Sequence, residues 1–327
     1  MVCQDLPLVQ KVCEIYDKLS KLNSLKPSKD VNTLFTDLVL TCIPPAPIDV
    51  TKLCKNVQEI RSNLIKICGQ AEGLLESHYS SILGSFDDNP LDHLSIFPYY
   101  SNYLKLSLLE FTILTQFCPK LDEPKRVAFI GSGPLPLSSI VLATYHLTNT
   151  CFHNYDIDSS ANYLASRLVL KDPDLSERMF FHTTDVMDVT SELNEYEVVF
   201  LAALVGMDKT DKVRVIDHLA KYMAPGAILM LRSAHGARAF LYPVIDPCDL
   251  LGFEVLSVFH PTDDVINSVV IARKLPLPFH SSNADHQQGQ LEGTIVLPTK
   301  CSEIESFIYP LNQITLIEEL ALEEQLS

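Results

Sequence analysis

The chain has 327 residues, 47% of them apolar and 20% charged, a globular composition with length for two domains of ordinary size. Its 25 Lys and Arg stand against 41 Asp and Glu, a formal net charge of −16. Such a surface repels phosphate backbones and offers no basic stripe, so nucleic acid is excluded as an expected partner. Nine cysteines, odd in number and scattered, show no zinc-ligand or redox spacing and read as small buried hydrophobes in a reducing compartment. Met1 to Lys11 lack the basic flank and apolar core of a signal peptide, and no apolar run nears the roughly 18 residues of a membrane span. A cytoplasmic location is expected.

Helical periodicity dominates the first hundred or so residues. Leu8, Val12, Ile15, Leu19 and Leu22 form one apolar stripe, and Val31, Leu34, Phe35, Leu38 and Val39 form a second, so each segment needs a partner helix. Pro44, Pro45 and Pro47 break the pattern, after which Asp49 is expected to cap a long helix carrying Leu53, Val57, Ile60, Leu64, Cys68, Ala71 and Leu75. Phe86-Asp-Asp-Asn-Pro90 is a second break, followed by a helix from about Tyr100 to Phe117. A turn-rich segment, Cys118 to Pro124, separates this half from the next.

From Lys125 short apolar runs alternate with helical patterns: 127–130, 151–155, 179–182, 198–202, 228–231, 253–258 and 269–272. Strands alternating with helices imply βαβ crossovers and a largely parallel sheet covered on both faces. The last two runs lie too close for a helix between them and read as an antiparallel edge hairpin. The expected fold is therefore α/β: a Rossmann-like, class I methyltransferase-type domain with seven strands behind an all-helical bundle. The boundaries expected are 1–118 for the helical domain, 119–274 for the Rossmann-like domain, and 275–327 for a mobile, compositionally biased extension ending in an acidic Leu-rich segment.

The sharpest local signal is Val127-Ala-Phe-Ile-Gly131-Ser-Gly133-Pro-Leu-Pro-Leu137, a strand running into a Gly-x-Gly turn and a helix. Gly131, Ser132 and Gly133 there bring backbone amides close to a ligand at a helix N-terminus. Asp156 ends the second strand, placed to accept hydrogen bonds from the ribose hydroxyls of a nucleoside, and Asp185 after the third strand is placed for an adenine amino group. The three elements in register indicate S-adenosylmethionine. Two departures from the ordinary methyltransferase turn stand out: Phe129 where an acid is usual, and Leu135 where a third glycine is usual. Both lie toward the methionine end of the ligand, which must be held differently.

Arg232, His235 and Arg238 follow the fifth strand, where loops at the C-terminal strand ends gather around a ligand, and arginine grips carboxylates in a bidentate fork. In the helical half, Glu72, Glu76 and Tyr79 fall on neighbouring turns, ahead of Ile96-Phe-Pro-Tyr-Tyr-Ser-Asn-Tyr103. A carboxylate beside tyrosines in a semi-dry site has a raised pKa and can take a proton from an ammonium. Solvated glutamates and core tyrosines are the bland alternative.

Several blocks resemble the plant nicotianamine synthase family: Ser28-Lys-Asp-Val-Asn32, Cys68-Gly-Gln-Ala-Glu-Gly-Leu-Leu-Glu-Ser-His78, Phe152-His-Asn-Tyr-Asp-Ile-Asp158, Leu201-Ala-Ala-Leu-Val-Gly-Met-Asp208 and Leu231-Arg-Ser-Ala-His-Gly-Ala-Arg238. The resemblance runs from about residue 8 to 274. It implies condensation of three S-adenosylmethionine molecules into nicotianamine with release of methylthioadenosine and no cofactor beyond that substrate; the histidines show no metal-ligand spacing, so no resident metal is expected. The resemblance also implies Glu76 as the catalytic base, with Glu72 as the substitute, Tyr103 assisting, Tyr99 or Tyr100 orienting the substrate, and Arg232 and Arg238 meeting product carboxylates. Two rivals stay open: a small-molecule methyltransferase, which would release S-adenosylhomocysteine, and a non-catalytic S-adenosylmethionine-binding protein. Tyr103-Leu-Lys-Leu106 and Leu74-Leu75 fit endocytic sorting patterns, which adds vesicle association as an option. Oligomeric state is left open.

Overall fold

The computed structural model describes residues 6–276 except 45, 47, 120 and 122; the expected C-terminal extension beyond 276 lies outside the described residues. Helices α1 (Pro7–Leu19), α2 (Lys29–Cys42) and α3 (Lys55–Leu83) bury the stripes read from the sequence. Val9, Val12, Ile15, Leu38, Val57 and Leu64 close into one apolar cluster. Ser28 caps α2 by accepting the Val31 N–H. Asp49 does not cap the long helix. It caps a 3-10 turn, Val50–Lys52, and α3 begins at Lys55 after Cys54. That short turn satisfies the Asp49 side chain locally before the helix starts.

Helix α4 (Tyr100–Phe117) has the bounds its periodicity suggests, yet it does not complete a bundle with the first three. Its Leu106, Leu109 and Ile113 share one buried cluster with Val127, Phe129, Phe152 and Phe200 of the sheet. Helices and sheet therefore form a continuous core across the turn at 118–125.

Seven strands follow: β1 (Arg126–Ile130), β2 (Cys151–Asp156), β3 (Met179–Thr183), β4 (Val198–Leu201), β5 (Ile228–Ser233), β6 (Phe253–Phe259) and β7 (Ser268–Lys274). Their order is β3-β2-β1-β4-β5-β7-β6. All pairs from β3 to β5 are parallel, and β7 is antiparallel to both β5 and β6. The antiparallel edge hairpin foreseen from the last two runs thus inserts β7 next to β5 and leaves β6 at the edge. Connecting helices include α5 (Leu137–Val141), α6 (Ser159–Val169), α7 (Leu175–Arg178) and α8 (Lys209–Tyr222). Asp158 and Asp208 cap α6 and α8 through the N–H groups of Ser160 and Asp211. The order reverses between β1 and β4, and in open α/β sheets ligands bind at the carboxyl ends of strands at that switch point. No helix among the described residues is long and apolar enough to cross a membrane.

Candidate active site

A cleft of about 1390 Å³ opens at this switch point, between the C-terminal strand ends and helices α2, α3 and α4. Single small-molecule sites occupy roughly 300–1,000 Å³, so the cleft exceeds what one ligand fills. Gly131, Ser132, Gly133, Asp156, Asp185, Glu72, Glu76, Tyr99, Tyr103 and Arg232 all line it. Two separate sequence regions, one helical and one from the sheet, therefore converge on one cavity.

The glycine turn is shaped by backbone demands. Gly131 and Gly133 have φ of 79° and 68°, left-handed conformations that side chains disfavour. A Cβ on Gly131 would sit 2.2 Å from Val205 Cγ2, and one on Gly133 would sit 2.8 Å from Glu76 Oε2. The second contact carries chemical weight: the carboxylate of α3 lies directly over the turn. Asp156 accepts the Gly133 N–H at 2.9 Å and the Asp158 N–H at 2.9 Å, which fixes the turn and the carboxylate together. Asp185 accepts the Met187 N–H at 2.9 Å. The Ser132 hydroxyl is buried without a partner among the described residues.

Over this floor hang two carboxylates one helical turn apart, each tied to a phenol. Tyr103 donates to Glu76 Oε1 at 3.1 Å, and Tyr242 donates to Glu72 Oε2 at 2.9 Å. Glu76 is 9% exposed. Burial, then the neighbouring Glu72 charge, hold its carboxyl well above the usual range, and the Tyr103 hydrogen bond only partly opposes them. Burial likewise raises Glu72. Burial, with the charges of Glu76 and Glu72, keeps the Tyr103 phenol protonated far into the alkaline range. Tyr103 is thus held as a hydrogen-bond donor, with the Glu76 carboxylate as its acceptor.

The arginines divide. Arg232, 8% exposed, forms a bidentate pair with Glu110 at 2.7 and 2.9 Å and donates to Ser138 Oγ at 2.7 Å. Its guanidinium lies 5.4 Å from the centre of the Phe129 ring, so the phenylalanine that replaces the usual acid supports a cation. Arg238 is placed elsewhere: it donates to the carbonyls of Ile43, Pro261 and Asp263 and clamps the β6–β7 loop to the end of α2. His235 stacks on His260 at 4.0 Å between ring centres. Arg238, His235 and Tyr100 are not among the cleft-lining residues. Lys212, fully buried, donates to the carbonyls of Ala202 and Ala203 beneath the β4 loop, and burial pushes its pKa down to about 7.

Glu110, Tyr242 and Lys212 escaped the sequence reading. A lone glutamate within the apolar run Leu104–Phe117 was the one available signal, because a buried carboxylate needs a partner. Tyr242 and Lys212 gave none.

A model of the family described as nicotianamine synthase protein matches residues 3–278. The chain is 67% identical to nicotianamine synthase of Solanum lycopersicum over 99% of its length and 100% of that protein's. It is 63% identical to nicotianamine synthase 3 of Arabidopsis thaliana, covering 100% of both chains. The chain belongs to the nicotianamine synthase family. Among solved structures, MtNAS in complex with MTA and tNA aligns with a TM-score of 0.69, at 24% identity over 82% of this chain and 98% of that one; the likeness bears on the fold. In this nicotianamine synthase family member the helical half supplies the paired glutamates and the sheet supplies the nucleoside-type turn.

Proposed function

We propose that this cleft joins three S-adenosylmethionine molecules into nicotianamine, with Glu76 as the base. In each transfer an amine attacks the γ-carbon of the sulfonium's aminocarboxypropyl arm. A C–N bond forms, the C–S bond breaks, and methylthioadenosine leaves with the electron pair. A protonated α-amine has no lone pair to attack with. Its proton passes to Glu76, whose pKa, raised by burial and the Glu72 charge, brings it closer to that of the amine. The last step turns the same attack inward and closes the azetidine ring. Selectivity for the γ-carbon over the methyl group is a matter of which carbon faces the amine within near-attack distance.

The observation that carries this reading is the contact of Glu76 with the Gly133 turn. Gly131, Ser132, Asp156 and Asp185 bind the nucleoside in this scheme, and Tyr103 orients Glu76 and the amine. Tyr99, which also lines the cleft, borders the acceptor. Arg232 contributes positive field from the wall without releasing Glu110. A cavity larger than one ligand retains the growing product between transfers. The chain acts in the cytosol, in keeping with buried free thiols at Cys42, Cys68 and Cys118 and with Leu106, the end of the sorting-like motif, lying in the core. Its product chelates iron, copper and zinc, and methylthioadenosine and nicotianamine are its small-molecule ligands besides the donor.

Incubation of the purified protein with S-adenosylmethionine alone, followed by mass spectrometry, tests the proposal. Three methylthioadenosines per nicotianamine are expected. S-adenosylhomocysteine would make the protein a methyltransferase, and intact donor would make it a binding protein.

A further inference from the structure

Arg238 is engaged by backbone carbonyls and Arg232 by Glu110 and Ser138, so neither of these arginines is free to meet the carboxylates of an aminocarboxypropyl substrate. Near the glycine turn the wall is itself acidic, with Glu72, Glu76 and Asp156. Two residues lining the cleft carry a buried donor without a partner among the described residues, Ser132 in the glycine turn and Asn267 just before β7. Asn267, the residue before β7, lines the cleft, is 9% exposed, and its Nδ2 finds no hydrogen bond among the described residues. Such orphans are rare in folded proteins, because their desolvation is offset by nothing inside the chain.

Its position follows from strand register. Arg232 on β5 pairs with Val269 on β7, and alternation brings the same face back two residues earlier, at Asn267. Diagonal neighbours of this kind have their Cα atoms about 7–8 Å apart. Asn267 therefore stands beside the buried arginine, on the sheet face that also carries Phe129 and Val269.

We propose that the Asn267 amide is a donor for an α-carboxylate of the bound donor or growing product. This inference rests on the cleft being the aminocarboxypropyl-transfer site. A neutral donor suits the place. A free cation beside Arg232, whose charge already reaches Glu76, would favour the ionised carboxylate and weaken it as a base, whereas an amide grips a carboxylate and leaves that basicity in place. The strand order also sets Asn267, just before β7, apart from the groups assigned to the nucleoside, which lie at the C-terminal ends of β1, β2 and β3, with β4 and β5 between.

Calorimetric titration of two ligands that undergo no turnover separates the possibilities. Methylthioadenosine carries the nucleoside and no carboxylate; nicotianamine carries carboxylates and no nucleoside. For Asn267→Leu, nicotianamine affinity is expected to fall at least tenfold and methylthioadenosine affinity to stay within twofold, with the melting temperature of the free protein unchanged or higher. Asn267→Asp, similar in shape but repelling a carboxylate, should lose more nicotianamine affinity than the leucine variant. Unchanged nicotianamine binding in both variants overturns the inference. So does a lowered melting temperature with both ligands weakened alike, which would mark Asn267 as structural. Wild-type protein that binds neither ligand sinks the parent reading along with this one, while wild-type protein that binds both alongside indifferent variants sinks this one alone.

Discussion

Replacing Glu76 by Gln removes a charge and keeps both the volume and the acceptor for the Tyr103 hydroxyl, so the change is almost purely electrostatic. Glu72 and Glu76 are one helical turn apart, about 6 Å between Cβ atoms, and two full charges at that distance with an effective dielectric near 20 repel by about 3 kcal/mol. Both carboxyls have raised pKa values in the folded protein, so the pair does not hold both charges fully, and about 1–2 kcal/mol of that repulsion is released by the substitution. The sign follows from linkage. Folded Glu76 keeps its proton to higher pH than the unfolded side chain, so its contribution is fully favourable below the unfolded value of 4.5 and is lost as pH rises through the folded value. E76Q is therefore expected to be more stable than wild type at pH 7.5, with a melting temperature higher by roughly 2–6 °C. The two proteins converge near pH 4. Turnover should fall about 10²–10⁴-fold with the base removed, while methylthioadenosine affinity holds. Thermal melts from pH 4 to 8 and chromatographic assay of methylthioadenosine release check both arms. Retention of more than a tenth of wild-type turnover, or a lower melting temperature at pH 7.5, would refute the assignment of Glu76 as a buried base.

Other positions give sharper contrasts between structural and chemical roles. Tyr103→Phe deletes the hydrogen bond that lowers the Glu76 pKa; turnover at neutral pH should drop about 10–100-fold, the equivalent of about 1.5–3 kcal/mol for a bond to a charged group, and the acid limb of the pH–rate profile should move to higher pH. Gly131→Ala forces a side chain into a left-handed turn against Val205, costing about 1–2 kcal/mol in backbone strain alone, and calorimetry should show methylthioadenosine binding weakened more than tenfold. Arg238→Met leaves the carbonyls of Ile43, Pro261 and Asp263 without their donor, so urea unfolding should show a loss of about 2–4 kcal/mol while the KM for S-adenosylmethionine stays within twofold. A raised KM with intact stability would instead support the carboxylate grip that the sequence suggests for this residue.

The strands were legible because a parallel sheet covered on both faces demands near-continuous apolar runs, and those runs mark all seven within a residue or two. The start of α3 was not, because Asp49 is a good cap wherever the chain turns, and a 3-10 turn intervened. Within the site, the glycine turn could be read from local sequence, whereas Glu76 and Tyr103 stood out through the family resemblance, since local pattern alone suits solvated glutamates and core tyrosines as well. Partners across the fold could be read from neither. Glu110 meets Arg232 over 122 residues of sequence and Tyr242 meets Glu72 over 170, and only the packing of α3 and α4 against the sheet brings them together. Arg238 shows the reverse failure: its residue type and loop position suit a carboxylate, but three carbonyls exposed by the β6–β7 loop and the end of α2 claim it first.

The departures in the glycine turn find a common cause in this packing. In a sheet of this order an acid on β1 and a third glycine would face the amino-acid end of the ligand; here Phe129 stacks on Phe200 with 5.6 Å between ring centres and lies under the Arg232 guanidinium, and Leu135 is buried. The strand end is thus apolar and closed, and it supplies no carboxylate of its own. Beside Asp156, which accepts the Gly133 N–H, a second carboxylate reaches the turn from α3, where Glu76 fills the space that a side chain on Gly133 would need. An acid fixed on β1 would clamp the α-ammonium of the donor and keep it charged. One delivered from a helix, desolvated and repelled by Glu72, favours taking that proton away. Under the proposed reaction, moving the acid from strand to helix turns a clamped α-ammonium into an amine free to attack, while the geometry of approach still selects the carbon attacked.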